Sequence, residues 1–313
     1  MNHVIEPVIA VAHGKVNLHL GVGDARPDGY HELVSVFQSL SLHDEVTLTP
    51  IGAGAGVRTL TVAGASGVPT DHTNLAWRAV ELVMRDYANR GHEDLPAVDI
   101  HIRKGIPVAG GMAGGSADAA AALVATQALL APKFGNLDDG ALYRFACQLG
   151  SDVPFTLAGG TMIGTGRGEQ LVPVISRGTY HWVLAMNSQG LSTPVVFGKL
   201  DEMRAQRELV RAGSADELLR ALAAGDVAAL AGTLANDLQA PAISLLPQLR
   251  RTLAAGTEAG ALAGMVSGSG PTCAFLCADA QAALEVSDAL IDHGVTSAVT
   301  TATGPAVGAY VKG

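Results

Sequence analysis

The chain is 313 residues long, carries a formal net charge of −9, and combines 48% apolar residues with only 4% aromatics and 38 glycines. That length exceeds what one growing core usually serves, so one large or two closely packed domains are expected, and the apolar fraction excludes a disordered chain. The acidic balance offers no basic footprint for nucleic acid or an anionic membrane, so an anionic ligand must be met by cations placed locally.

Glu6 and His13 interrupt the stretch where an export signal would be uniformly apolar, and a cytoplasmic protein is expected. From Val8 to Pro50, short apolar runs such as Lys15–Gly21 and Glu45–Pro50 alternate with turn residues, which predicts strands around a Gly-Asp…Pro-Asp-Gly loop. Arg58–Val62 continues the pattern, and the glycines at 52–56 and 64–67 read as mobile hairpin tips. Leu75, Ala79, Leu82, Val83 and Tyr87 keep a helical period over Asn74–Asn89, with Asn74 placed to cap it. A strand, Val98–Arg103, leads into the glycine-rich run Gly105–Ser116, and Ala117–Leu130, nearly all alanine and leucine, predicts a buried helix.

A further helix is expected over Asp138–Leu149, then strands over Thr161–Ile163, Leu171–Val174 and His181–Met186. Helices follow near Asp216–Ala224, Asp226–Leu234 and Ile243–Ala259, then a glycine turn at Ser267–Gly270, a strand Thr272–Leu276 and a helix Ala280–His293. The uncharged run Ala259–Ala278 is broken by glycines, serines and Pro271, so it reads as helix end, turn and strand and not as a bilayer span. The sum is an α+β protein with two sheets, divided near residue 160 into domains 1–160 and 161–313. Cys147, Cys273 and Cys277 lack CxxC spacing and are expected to be buried free thiols.

The chemistry centres on the glycine run. A strand, then Gly110-Gly111-Met112-Ala113-Gly114-Gly115-Ser116, then a strong helix lets backbone curl round a polyphosphate, with free N–H groups and the helix dipole facing it. The Ser116 hydroxyl could reach phosphate or Mg²⁺. No GxxxxGK[ST] or GxGxxG occurs, which disfavours both common nucleotide folds. Asp152, after Gly150 and before Val153-Pro154-Phe155, is a candidate base for an alcohol; on residues alone a turn former is the commoner role for such an aspartate. Lys15 is its candidate cation, with Asn17 two residues along the same strand face. Tyr30 and His31 on residues alone are loop-tip turn residues, and the remaining histidines show no metal spacing.

Three segments together resemble the GHMP kinases: Ala12-His13-Gly14-Lys15-Val16-Asn17-Leu18-His19-Leu20, the run from Pro107 through Gly111-Met112-Ala113-Gly114-Gly115-Ser116-Ala117-Asp118-Ala119-Ala120, and Met265-Val266-Ser267-Gly268-Ser269-Gly270-Pro271-Thr272. Ala12-His13-Gly14 departs from the usual Ala-Pro-Ala. Arg26-Pro27-Asp28-Gly29-Tyr30-His31-Glu32-Leu33 with Phe37-Gln38, and Gly150-Ser151-Asp152-Val153-Pro154-Phe155, resemble the branch of that superfamily that phosphorylates a diphosphocytidyl-methylerythritol.

The resemblance implies a two-domain GHMP kinase fold, with a ribosomal-S5-like N-terminal domain, a ferredoxin-like C-terminal domain and the site in the cleft between them. It implies ATP and Mg²⁺, Lys15 and Asp152 as catalytic residues, and an ATP site of Asn74, Leu75, Lys104, Pro107 and Gly110 through Ser116. It further implies a substrate site of Asn17, Tyr30, His31, Phe37, Asp152, Thr193, Pro194, Gly268, Ser269 and Gly270, with Tyr30, His31 and Phe37 around the cytosine. A small-molecule substrate is implied, with no nucleic acid or membrane partner, in a monomer or homodimer. A homoserine- or mevalonate-type kinase, or a non-catalytic ligand-sensing relative, are the alternatives; the first pair lacks Gly29-Tyr30-His31, and the retained Lys15 and Asp152 argue against the last.

Overall fold

The computed structural model describes residues 6–27, 29–108, 110–206 and 209–313. Asp28 of the Pro-Asp-Gly-Tyr-His segment and Ala109 of the glycine run lie outside them. The chain opens with two long antiparallel strands, β1 (Val8–Ala25) and β2 (His31–Ala53). Register shifts against β2 fall between His13 and Lys15 and between Asn17 and His19, on either side of the two polar residues expected to work. Such irregularities re-aim side chains, and here they bracket Lys15 and Asn17 within an otherwise apolar strand.

Next come β3 (Gly56–Ala63), helix α1 (Leu75–Asn89) and β4 (Pro96–Arg103). The glycines at 52–56 do not close a hairpin: β4 inserts between β2 and β3, antiparallel to one and parallel to the other. Gly64 and Gly67 likewise lead from β3 toward α1 and are not a hairpin tip. Helix α2 (Gly114–Phe134) starts before the expected Ala117, because Ala113 takes the left-handed conformation (φ 60°) and hands Gly114 and Gly115 to the first helical turn. Ala117, Ala119 to Ala122 and Ala125 are fully buried, and their small side chains let α2 lie close against α1, β1 and β2.

Helices α3 (Ala141–Leu149) and α4 (Val153–Ala158) follow. Strands β5 (Thr161–Thr165) and β6 (Gln170–Pro173), beyond residue 160, extend the first sheet, since β5 pairs with β2 and β6 with β5. The second sheet begins at β7 (Tyr180–Met186).

Helix α5 (Thr193–Gln206) has no counterpart in the sequence reading, although Val196, Leu200 and Met203, its buried residues, stand at helical spacing. Helix α6 (Asp216–Ala224) is as expected, and α7 (Val227–Ala231) is shorter than expected, stopping at Gly232. After β8 (Ala235–Asn236), the single helix expected over Ile243–Ala259 is two, α8 (Gln239–Leu245) and α9 (Gln248–Glu258). Pro247 separates them, because the residue before a proline is pushed out of the helical region, as Leu246 is at φ −133°, ψ 82°. Strands β9 (Ala263–Val266) and β10 (Cys273–Cys277), helix α10 (Ala280–Asp292) and strands β11 (Ala298–Gly304) and β12 (Tyr310–Val311) complete the chain.

The described strands form two sheets, one ordered β12-β1-β2-β4-β3 with β5, β6 and β8 attached, the other β11-β7-β10-β9. The second sheet is buried on both faces, with Trp182 and Leu184 entering the core of the first half while Val183 and Ala185 face α5, α8, α9 and α10. The mixed helix and strand content and paired sheets are the two-domain α+β architecture expected. Cys273 and Cys277 are buried free thiols, their pKa values pushed up by burial to about 12 and about 11; Cys147, also free, is only half-buried. Among the described residues no helix is long and apolar enough to cross a membrane.

Candidate active site

Two glycine turns, one from each half, face each other at the centre of the molecule. Gly111 adopts φ +71°, and a Cβ there would stand 2.5 Å from the Ser267 carbonyl oxygen and 3.3 Å from that of Gly270. Gly268 adopts φ +55°, and its Cβ position lies 3.4 Å from Asn17 Oδ1 and 3.6 Å from Lys15 Nζ. Gly111 therefore needs glycine for conformation and for close approach, and Gly268 for its left-handed conformation, since a Cβ there would make only ordinary contacts. Asn236 on β8 holds the second turn, Nδ2 donating to the carbonyls of Val266 (2.7 Å) and Gly268 (2.8 Å) while Oδ1 accepts from Leu238 N–H. The Lys15 N–H donates to the Met112 carbonyl (3.2 Å), tying β1 to the first turn.

On one side of that turn lies a hollow of about 320 Å³, lined by Gly67 to Pro69, Lys104, Pro107, Val108, Gly110 to Gly115 and Asp118. Its floor is the start of α2, whose first N–H groups lack partners within the helix. Lys104 is buried between two carboxylates, bonding Asp44 and, at 2.7 Å, Asp118 Oδ2. Asp44 also accepts from the N–H groups of Gly105 (2.7 Å) and Ile106 (2.8 Å), so the charge cluster fixes the approach to the glycine run. Burial pushes the Asp118 carboxyl up to about 7, against the pull of Lys104.

Of the expected ATP residues, Asn74 and Leu75 stand behind this wall. Asn74 caps α1 through Ala76 N–H and donates to the Pro69 carbonyl (2.7 Å), while Leu75 Cδ1 is 3.9 Å from the Cβ position of Gly115. The Met112 side chain is buried in the core, and Ser116 faces the neighbouring cleft.

That second cleft, about 620 Å³, shares Gly111 and Ala113 with the first. Where they meet, buried Lys15 bonds Asn17 Oδ1 (2.7 Å) and lies 3.7 Å from Asp152 Oδ2. Asn17 Nδ2 donates to Ser35 Oγ (2.8 Å), which donates to the His19 carbonyl; this chain aims the amide oxygen at the ammonium. Asp152 precedes α4 but makes no capping bond, and its side chain stays 37% exposed toward the cleft. The carboxylate is thus held by a cation and left open to a ligand hydroxyl.

At the far end, Tyr30 stands 53% exposed with the Arg167 guanidinium 5.0 Å over its ring. His31 is buried, 5.1 Å from the Phe197 ring, and its Nε2 bonds Asp201 Oδ1 at 2.9 Å. Phe37 forms floor, its ring tilted against Phe155 with centroids 5.1 Å apart and 5.7 Å from Lys15 Nζ. Thr193 and Ser269 share a 2.8 Å hydroxyl contact, and both line the cleft with Pro194 and Gly268. Gly270 turns away, its Cβ position 2.8 Å from Val266. Asp44, Arg167, Phe197, Asp201 and Asn236 escaped the sequence reading, and Asp118, which falls inside the second motif's run as the one acidic residue of the alanine-rich helix, was given no role there.

A phosphate-sized hollow over a helix start, sharing its glycine turn with a cleft that holds a Lys–Asp pair, defines an ATP-dependent small-molecule kinase. The family model described as GHMP kinases N terminal domain matches residues 74–160, and GHMP kinases C terminal matches residues 217–310. A protein of Nocardia farcinica named 4-diphosphocytidyl-2-C-methyl-D-erythritol kinase is 56% identical over 312 residues, covering 98% of this chain and 97% of that one. A protein of the same name from Mycolicibacterium smegmatis is 56% identical over 302 residues, with 95% and 90% covered. A crystal structure of 4-(cytidine 5'-diphospho)-2C-methyl-D-erythritol kinase superposes with a TM-score of 0.75 at 29% identity, covering 95% of this chain and 99% of that one. Homoserine kinase from Cytophaga hutchinsonii (TM-score 0.67, 17% identity, 100% and 99% covered) shares the fold. The chain belongs to the GHMP kinases and, within them, to the family of the 4-diphosphocytidyl-2-C-methyl-D-erythritol kinases.

Proposed function

We propose that this kinase transfers the γ-phosphoryl group of ATP to the 2-hydroxyl of 4-diphosphocytidyl-2-C-methyl-D-erythritol, giving the 2-phosphate and ADP in non-mevalonate isoprenoid precursor synthesis. The observation that carries the reading is the shared turn: Gly111 and Ala113 line both hollows, and Lys15 and Asp152 stand beside it. ATP lays its phosphates over the first N–H groups of α2 in the smaller hollow. The cytidylated substrate fills the larger cleft, its base between Tyr30, His31 and Phe197 and its hydroxyl at Asp152.

Asp152 orients that hydroxyl and takes its proton as the oxygen bonds the γ-phosphorus; the bond from γ-phosphorus to the bridging oxygen breaks, and ADP leaves with the electron pair. Lys15 balances the Asp152 charge and meets the transferring group, while Asn17 fixes the ammonium in place. Among the described residues no three His, Cys, Asp or Glu side chains are grouped to cage a metal. Near the shared turn the Ser116 hydroxyl suits Mg²⁺, which takes one or two protein oxygens plus phosphates and would supply charge neutralisation there. The reading places the enzyme in the cytoplasm, as monomer or homodimer, with small-molecule ligands and no nucleic acid or membrane partner.

The test is ADP formation by purified protein given ATP, Mg²⁺ and either the cytidylated methylerythritol, homoserine, mevalonate or galactose. Rapid turnover of the first alone is expected; faster turnover of another acceptor would overturn the assignment.

A further inference from the structure

Much of the far wall of the larger cleft is one helix, α5, which contributes Thr193, Pro194, Phe197 and Asp201. Its buried apolar face is short, Val196, Leu200 and Met203, and apolar burial is non-directional, so it holds the helix without fixing its rotation or slide. Directional contacts come from the last turn. There Arg204 Nη1 donates to the Gly23 carbonyl (3.0 Å), and Nη2 donates to the Val22 carbonyl (2.8 Å) and to Asp237 Oδ2 (3.1 Å). Asp237 is itself fixed: Oδ2 also accepts from Val22 N–H (2.8 Å), Oδ1 accepts from Ala212 N–H (2.6 Å), and its own N–H donates to the Leu20 carbonyl (2.9 Å). The two side chains are only 13% and 4% exposed, so neither water nor salt screens the pair as it would at the surface. Asp237 directly follows Asn236, whose amide holds the Gly268 turn beside Lys15.

We propose that Arg204 and Asp237 form a clamp that sets where α5 stands against the end of β1 and, through Asn236, keeps that wall in register with the catalytic turn. Both are positioning residues: neither lines the larger cleft, and they act on the acceptor through α5. The nucleotide hollow is built from the glycine run and the start of α2, which the clamp does not touch, so the clamp serves the acceptor and not ATP. The inference rests on the larger cleft being the acceptor site.

The experiment compares wild type, Arg204→Met, Arg204→Lys and the double variant Arg204→Met/Asp237→Asn by steady-state kinetics with each substrate varied, thermal melts and hydrogen exchange. In Arg204→Met, kcat/KM for the cytidylated acceptor should fall about 10–100-fold, the scale of a small misplacement, carried mostly by KM, while KM for ATP stays within about twofold. Amides of α5 should exchange faster while those of α2 keep their protection. Arg204→Lys keeps the charge but loses the planar fork that spans two carbonyls and a carboxylate, so it should recover part of the acceptor KM. Arg204→Met leaves the Asp237 charge buried without a cation and is the variant at risk of not folding. The double variant removes both charges, so its Tm should recover relative to Arg204→Met while the acceptor KM stays high, a separation that a merely stabilising pair would not give. A folded double variant with the wild-type acceptor KM, a defect shared equally by ATP, or unchanged exchange in α5 overturns the inference and leaves the acceptor site standing. Failure of wild type to phosphorylate the cytidylated acceptor removes the functional reading, and this inference with it.

Discussion

Replacing Gly111 by alanine tests whether the two facing turns are the structural heart of the site. The added methyl would stand 2.5 Å from the Ser267 carbonyl oxygen, a separation that real side chains do not tolerate, and the residue would have to keep φ +71°. The left-handed conformation costs an L-residue roughly 1–2 kcal/mol, and forcing apart a packed contact costs about 1–3 kcal/mol more. The sum, about 2–5 kcal/mol, corresponds to a loss of roughly 3–8 °C in Tm for a protein of this size. Because the displaced turn carries Gly268 beside Lys15 and Asn17, kcat/KM should fall with it.

Gly115→Ala is the contrast. Its methyl meets nothing closer than Leu75 Cδ1 at 3.9 Å, the position is exposed, and alanine favours the helix, so Tm should hold or rise. The same methyl stands in the nucleotide hollow, and KM for ATP should rise about tenfold if phosphates approach the first turn of α2. Thermal melts and steady-state kinetics with ATP varied separate the two effects. A Gly111→Ala protein with wild-type Tm and kinetics would refute the facing-turn argument. An unchanged ATP KM in Gly115→Ala would refute the placement of the phosphates.

Asp152→Asn keeps size and removes the proton acceptor, so single-turnover ADP formation should slow by about 10²–10⁴-fold with KM little changed, and a chemical step within about threefold of wild type removes it from the mechanism. Lys15→Ala should be at least as harmful, and the double variant should lose less than the sum of the two if the pair acts as a unit. Asp118 holds its proton more tightly in the native state than in the unfolded chain, since its carboxyl is raised from 3.8 to about 7; its contribution to stability is full below the unfolded value and is lost as pH rises toward 7. Asp118→Asn abolishes that slope, so the Tm of the variant relative to wild type should improve between about pH 4 and pH 7 and level off above, and a constant difference counts against the burial argument. Asn236→Ala strips two carbonyls of the second turn of their donor, at a cost of about 1–3 kcal/mol, and should cut kcat/KM about tenfold. Kinetics within twofold of wild type would show the turn to be held by other contacts.

What the chain alone determined is local. The alternating runs of β1 and β2, the capped amphipathic pattern of α1 and the alanine-rich α2 are periodicities of neighbouring residues, and backbone geometry turns such periodicities into strands and helices with little help from the rest of the fold. The glycine run marked the nucleotide hollow for the same reason. The Pro247 break is equally local in cause, since a proline bars the preceding residue from a helix, but the expectation of one helix over Ile243–Ala259 ran through it.

What only the tertiary structure decided is which distant side chains meet. Lys104 finds Asp44 because β4 inserts between β2 and β3, an order of strands that no local preference specifies. Asn236 reaches the Gly268 carbonyl because β8 pairs with β1 and the second sheet docks its β9–β10 turn against it, and Asp201 reaches His31 across 170 residues of chain because α5 packs over the start of β2. Polar partners of this kind leave no periodic trace in the sequence: each bond depends on one register and one docking of packed surfaces, and those are settled by burial of the whole core.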